Sequence, residues 1–142
     1  MMRRLLTDDR AESDAVVALP AVAAVMVVLA VSVGVVVWWA AAQSAQAIAN
    51  AAGFEALSLP VLGTPAAESA LGAMVAAETA ARSFPPLSCA LSGLDVAAAQ
   101  IPASVTVTVT CSTTVPVLGF VHFERSVTLG LNPSHLIAGS TP

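Results

Sequence analysis

The chain has no lysine, and its five basic residues are all arginine: Arg3, Arg4, Arg10, Arg82 and Arg125. No basic stripe exists to neutralise a phosphate backbone, so nucleic acid is not an expected partner. Charge of either sign is scarce, 10% of 142 residues, where a globular domain carries about a quarter. The acidic residues after position 14 are Glu55, Glu68, Glu78, Asp95 and Glu124; they stand singly, and no carboxylate pair offers acid–base chemistry. A Gly-rich phosphate loop is also missing. Two cysteines, Cys89 and Cys111, and two histidines, His122 and His135, form no C-x-x-C or H-x-x-x-H pairing of the kind that holds zinc. The expectation is a protein that is not an enzyme, with no catalytic residues, no cofactor, no metal and no small-molecule substrate.

What the chain has in excess is apolar sequence, 57% of all residues. Residues 15–42 carry no charged side chain, and 15–37 are almost wholly Ala, Val, Leu and Met. As a helix, 15–37 would extend roughly 34 Å, slightly more than the ~30 Å hydrocarbon core of a bilayer. The rival reading is a cleaved export signal, since "AAAQSAQA" offers small residues at Ala45 and Ala47. Signal cores usually run about 7 to 15 residues, so the length of this run favours a retained anchor. Three arginines precede the run and the next follows only at Arg82. That bias predicts a single-pass protein of the cell membrane, N-terminus cytoplasmic and C-terminal domain extracytoplasmic. Trp38 and Trp39 then fall where the helix would leave the hydrocarbon, as membrane-interface residues. Pro20 falls in the first turns of the spanning helix, where its cost is small.

Beyond the membrane, the Ala-rich run with Gln43, Gln46 and Asn50 predicts a helical stem, amphipathic rather than buried, stopping at Gly53. Thr64 and Pro65 make a helix start, and Leu71, Met74, Val75 and Ala81 recur at helical spacing, which predicts a second helix over 65–83. Glu78 and Arg82 stand as an i,i+4 pair on it. "SVTVTVTCSTTV", residues 104–115, alternates at period two, the pattern of a strand with one wet face. Residues 121–131 can return as its antiparallel partner, with Phe123, Arg125, Val127 and Leu129 on one face, and "CALSGLDVAAA" offers a short third strand. Both cysteines lie on the expected outer side, where disulfides persist, and are read as a bridge tying the segment before the sheet to its central strand. The expected fold class is α+β and membrane-anchored: a long N-terminal transmembrane helix with an extracytoplasmic stem, a second short helix and a small antiparallel sheet. The expected division is a charged cytoplasmic leader over 1–14, a transmembrane helix over 15–39, stem and turn over 40–62, and a small α+β domain over 63–142.

This order of parts, a charged leader, a uniform helix with an early Pro, an Ala/Gln-rich stem and a small β region with two Cys, resembles the TadE/TadG-like family of pilus assembly proteins. Members are pilin-like single-pass proteins of the Flp (tight adherence) type IVb pilus and related secretion systems. Their N-termini typically read Arg-Gly-Ser-x-x-x-Glu, with Pro six residues after the Glu and, in some, a cut after the Gly. In "DDRAESDAVVALP", Pro20 minus six is Asp14, and the Gly position is occupied by Asp9. The resemblance implies an assembly or processing region at Asp9, Arg10, Asp14 and Pro20, with Asp14 registering a neighbouring subunit. It further implies the role of a minor pseudopilin or assembly component whose partners are the membrane, other pilin-like subunits and the inner pilus or secretion platform. Small residues Ala30, Ser32 and Gly34 suit close helix approach. The alternative is an anchored or secreted extracytoplasmic binding domain unrelated to pili, using the Thr/Val sheet edge.

Overall fold

A computed structural model describes residues 8–131, with side chains from Ala18 onward. The order of elements is α1 (Asp8–Ser58), α2 (Pro65–Ala80), β1 (Ser88–Ala97), β2 (Ser104–Val115) and β3 (Gly119–Gly130). Both helices cover one face of a three-stranded antiparallel sheet of order β1-β2-β3, so the fold is α+β with the Val/Thr strand at its centre.

Helix α1 is one unbroken element of 51 residues with two different surroundings. Its first part is apolar all round and bare: Leu19, Val22, Val25, Val28 and Val36 all face outward. Only 11% of its most apolar 18-residue window, of mean hydropathy 2.7, is buried. A core helix of a soluble protein would bury such a stretch, whereas this helix is long and apolar enough to cross a membrane. Pro20 lies inside the helix rather than in its first turns, because α1 begins as early as Asp8. It leaves the carbonyl of residue 16 without a helical donor.

The second part of α1 is half of the core. Val37, Ala41, Ala45, Ile48, Ala49, Ala52 and Ala56 recur at intervals of three and four and are buried against Val105, Val107, Val109 and Cys111 of β2 and Phe123 of β3. Alanine at these positions lets the helix backbone approach the sheet closely. The stem is therefore amphipathic and buried, a correction to the expectation that it stands free: Gln43 and Asn50 face outward while the Ala row faces the strands. Nor does Gly53 stop it. The helix runs on to Ser58, and Gly53 is buried where Val127 and Leu129 of β3 press on it; a Cβ built there would lie 3.0 Å from Leu129 Cδ1. The glycine makes room for a strand instead of ending a helix.

Helix α2 follows the expected start. The Thr64 side chain accepts from the Ala67 amide at 3.2 Å, Pro65 opens the helix, and Glu68 sits in the first turn. The helix ends at Ala80, a few residues short of the expected 83, with Ala67, Leu71 and Val75 turned into the core. Glu78 and Arg82 form the expected pair at 3.6 Å.

Strand β2 runs from Ser104 to Val115, as its alternation requires, with every odd residue from Val105 to Val115 buried. Its even residues face solvent, where the Thr106 and Thr128 hydroxyls meet across strands at 2.9 Å. Strand β3 begins at Gly119 rather than 121 and keeps Phe123, Arg125, Val127 and Leu129 on the helix-facing side. The third strand is a full ten residues, longer than expected, because a bulge repairs its pattern. Leu91 pairs with Val109 and Gly93 with Thr108, so Ser92 is the extra residue, and its hydroxyl donates to the Thr108 carbonyl. The inward residues shift from Cys89 and Leu91 before the bulge to Leu94 and Val96 after it.

Cys89 and Cys111 are bonded. They are direct partners in the β1–β2 ladder, with Cα atoms 4.0 Å apart, so the bridge joins two neighbouring strands. It does not tie a preceding segment to the sheet, because that segment has itself become β1. Phe123 pairs with Cys111 on the other side, and the three residues form one row across the sheet.

Candidate functional site

The residues singled out from sequence fall into two groups along α1. Asp9, Arg10 and Asp14 lie on its first turns, with their side chains outside the described residues; Pro20 is exposed further along. Trp38 and Trp39 lie 24 and 25 positions beyond Asp14, about 36 Å along a helix axis. The implied assembly region and the aromatic pair are therefore not brought together, and the bare helix separates them.

The second group sits at a junction that no local sequence pattern announces. Here three segments converge on residues 32–38 of α1. The turn between β2 and β3, Pro116, Val117 and Leu118, backs onto Gly34, where a Cβ would come within 2.8 Å of the Pro116 carbonyl oxygen. Phe84, from the link between α2 and β1, lines a shallow groove with Ser32, Val33, Val36 and Val37. The Ser32 hydroxyl donates to the Val28 carbonyl at 2.8 Å, so the groove is apolar. Trp38 turns toward the sheet, its ring 6.4 Å from that of Phe123, while Trp39 faces outward. Both tryptophans are exposed, Trp38 with one side of its ring against the sheet and Trp39 turned outward.

Gly34 is accordingly engaged by this chain's own turn. Of the small residues suited to close helix approach, Ala30 and Ser32 remain exposed on α1, but Gly34 is buried under Pro116. A sequence reading had no means of knowing which helix residue the turn would meet.

No family model matches this chain, nor does any curated protein or solved structure. What it does must therefore be argued from its own geometry. Among the described residues, no three of His, Cys, Asp and Glu gather as metal ligands. His122 is exposed on the wet face of β3, its ring perpendicular to that of Phe120; His135 lies outside the described residues. A second open groove, between the end of α2 and the start of β1, is lined by Thr79, Arg82, Ser83, Pro86, Leu87 and Cys89 among others. Its one cation is paired with Glu78, and its cysteine is in the disulfide. What the described residues build well is a mount: a bare apolar helix passing without a break into the core of a small sheet domain.

Proposed function

We propose that the chain is a single-pass membrane protein whose α+β domain stands outside the cell membrane, acting as a TadE-like minor pseudopilin or assembly component of a Flp-type pilus or related secretion system. It works by helix contacts in the bilayer and domain contacts outside it, not by catalysis. The observation that carries the reading is the shared helix α1, bare and apolar over its first part and half of the domain core over its second.

That sharing also weighs against a cleaved export signal. A cut near Ala45 or Ala47 would remove Val37 and Ala41, and Ala45 in the latter case, from the buried face and leave α1 only a remnant beginning near Ile48. The part of α1 removed would be the part toward the Val115 end of β2, since Gly34 meets Val115 and Pro116 while Gly53 meets Val127 and Leu129, and uncovering that end is an expensive exposure for a domain this small. The arginine bias across the bare segment supports a cytoplasmic N-terminus. The pilus assignment rests on the order of parts together with Asp14 and Pro20 at their family spacing.

The test is the mature N-terminus and membrane partition of the protein in its native host, read by mass spectrometry after alkaline carbonate extraction. A start at Arg10 in the membrane fraction is the expected result for prepilin-type processing, and an intact start in that fraction fits an uncut assembly subunit. A soluble product starting near Ile48 would refute the anchor. Deleting the gene should reduce surface filaments or the secretion they support, and co-isolation should recover pilin-like subunits or the inner platform. A deletion without effect on either would move the protein to the class of anchored binding domains unrelated to pili.

A further inference from the structure

At the junction the domain carries an apolar collar that nothing among the described residues covers. Phe84 (69% exposed), Val117 (70%) and Leu118 (61%) project from the two segments that meet α1 at residues 32–37, and Phe120 (65%) stands just past the turn on the outer face of β3, beside His122. There is no charged residue in 83–94, in 112–121 or on α1 between Asp14 and Glu55. The collar is therefore continuous with the bare helix surface without a charged residue between them.

Backbone geometry at the tip adds an independent observation. Val117 sits at φ 72, in the left-handed region that Gly, Asn and Asp tolerate and β-branched side chains avoid. A turn selected only for folding would carry one of those residues. Here the chain keeps an apolar side chain at the tip against the preference of its own backbone. The length of α1 supplies the third observation. Residues 15–33, ahead of the Gly34 contact, extend about 28 Å, which matches the ~30 Å hydrocarbon layer. The contact of α1 with the domain at Gly34 thus falls at the level where the collar begins.

We propose that Phe84, Val117, Leu118 and Phe120 sink into the interfacial layer of a lipid bilayer around the point where α1 emerges, so that the domain rests on the membrane surface. The proposal depends on the reading of α1 as a membrane span. It shifts the edge of the hydrocarbon from residue 39 to about Gly34 and leaves Trp39 at headgroup level, where tryptophan is favoured. Seating the collar fixes the tilt and height of the sheet, which a single helix alone leaves free.

The experiment uses the full chain in phospholipid vesicles, with Trp38→Phe and Trp39→Phe as background and one tryptophan returned at a time. Val25→Trp reports the span, Leu118→Trp the collar, and Gln100→Trp the far end of the sheet. Quenching is read with nitroxide-labelled lipids carrying the label either near the headgroup or deep in the acyl chain. The deep label should quench Val25→Trp. The shallow label should quench Leu118→Trp several-fold more than Gln100→Trp, with a blue-shifted emission. Leu118→Trp behaving like Gln100→Trp while Val25→Trp is quenched would overturn the collar and leave the anchor standing. A blue shift at Leu118→Trp that grows with protein density but is insensitive to lipid label would assign the collar to a second copy, which also overturns it. An unquenched Val25→Trp would remove the span and the collar with it. Val117→Asn suits the turn's backbone and should raise Tm in detergent while lowering the lipid quenching of the Leu118→Trp probe. Unchanged quenching would overturn the part given to Val117.

Discussion

The two parts of α1 make different use of side-chain size. In the bare part, Val, Leu and Met crowd every direction and bury almost nothing against the fold; in the packed part the inward row is Ala at all but Val37 and Ile48. If the bare half spans a membrane as proposed, the bilayer would adapt to the side chains it receives, and that half would need apolarity and length but no particular shape. A sheet does not adapt. Its approach to the helix is set by the smallest inward residues, and the alanine row sets how close β2 can lie. The same helix therefore tolerates one kind of substitution in one half and not in the other.

That difference can be broken most strongly at Ile48, the one large fully buried side chain that α1 gives the core. Ile48→Ala should cost about 2–5 kcal/mol of domain stability, whereas Val28→Ala, in the exposed part, should leave it unchanged. Thermal unfolding in detergent, followed by circular dichroism, measures both. The next largest effect concerns the packed half alone. Cys89→Ala with Cys111→Ala opens a loop of 22 residues and should cost about 3 kcal/mol in the chain-entropy model, with membrane partition unaffected. Denaturant unfolding and carbonate extraction on the same sample separate the two. The smallest effect sharpens the boundary between the halves. Gly34→Ala brings a Cβ against the rigid Pro116 carbonyl and should cost about 1–3 kcal/mol, because backbone must move. Gly53→Ala meets the flexible end of Leu129 and the stiffer Cγ1 of Val127, so crowding is partly offset by about 1 kcal/mol of helix propensity and the net cost should be smaller than at Gly34.

Where local chemistry decides, the sequence was readable. The Thr64 cap, the Glu78–Arg82 pair and the limits of β2 follow from residues within a few positions of one another. Strand β1 was only half visible because the bulge at Ser92 breaks its alternation, and the break makes sense only opposite Val109 and Thr108. Gly53 was misread for a similar reason. A glycine at the end of an Ala-rich helix has the composition of a stop, and only the arrival of β3 some seventy residues later explains why it is a contact. Alanine itself conceals the core, since a buried Ala45 and an exposed Ala30 have the same side chain. The junction at Gly34 was not legible at all, for it depends on how far the sheet reaches back along the helix. Cys89 and Cys111 were identifiable as a bridge, but their place as ladder partners required the register of β1.

Between Gly34 and Gly53 helix α1 contains no glycine and no proline, and its inward face is clamped along much of that length by the sheet. Nothing resembling a hinge separates the bare end from the domain. A push along α1, or a twist applied to its bare end by a machine gripping it, would be delivered to the sheet without slack. The molecule is built like a handle forged in one piece with its head: whatever takes hold of the shaft also steers the strands.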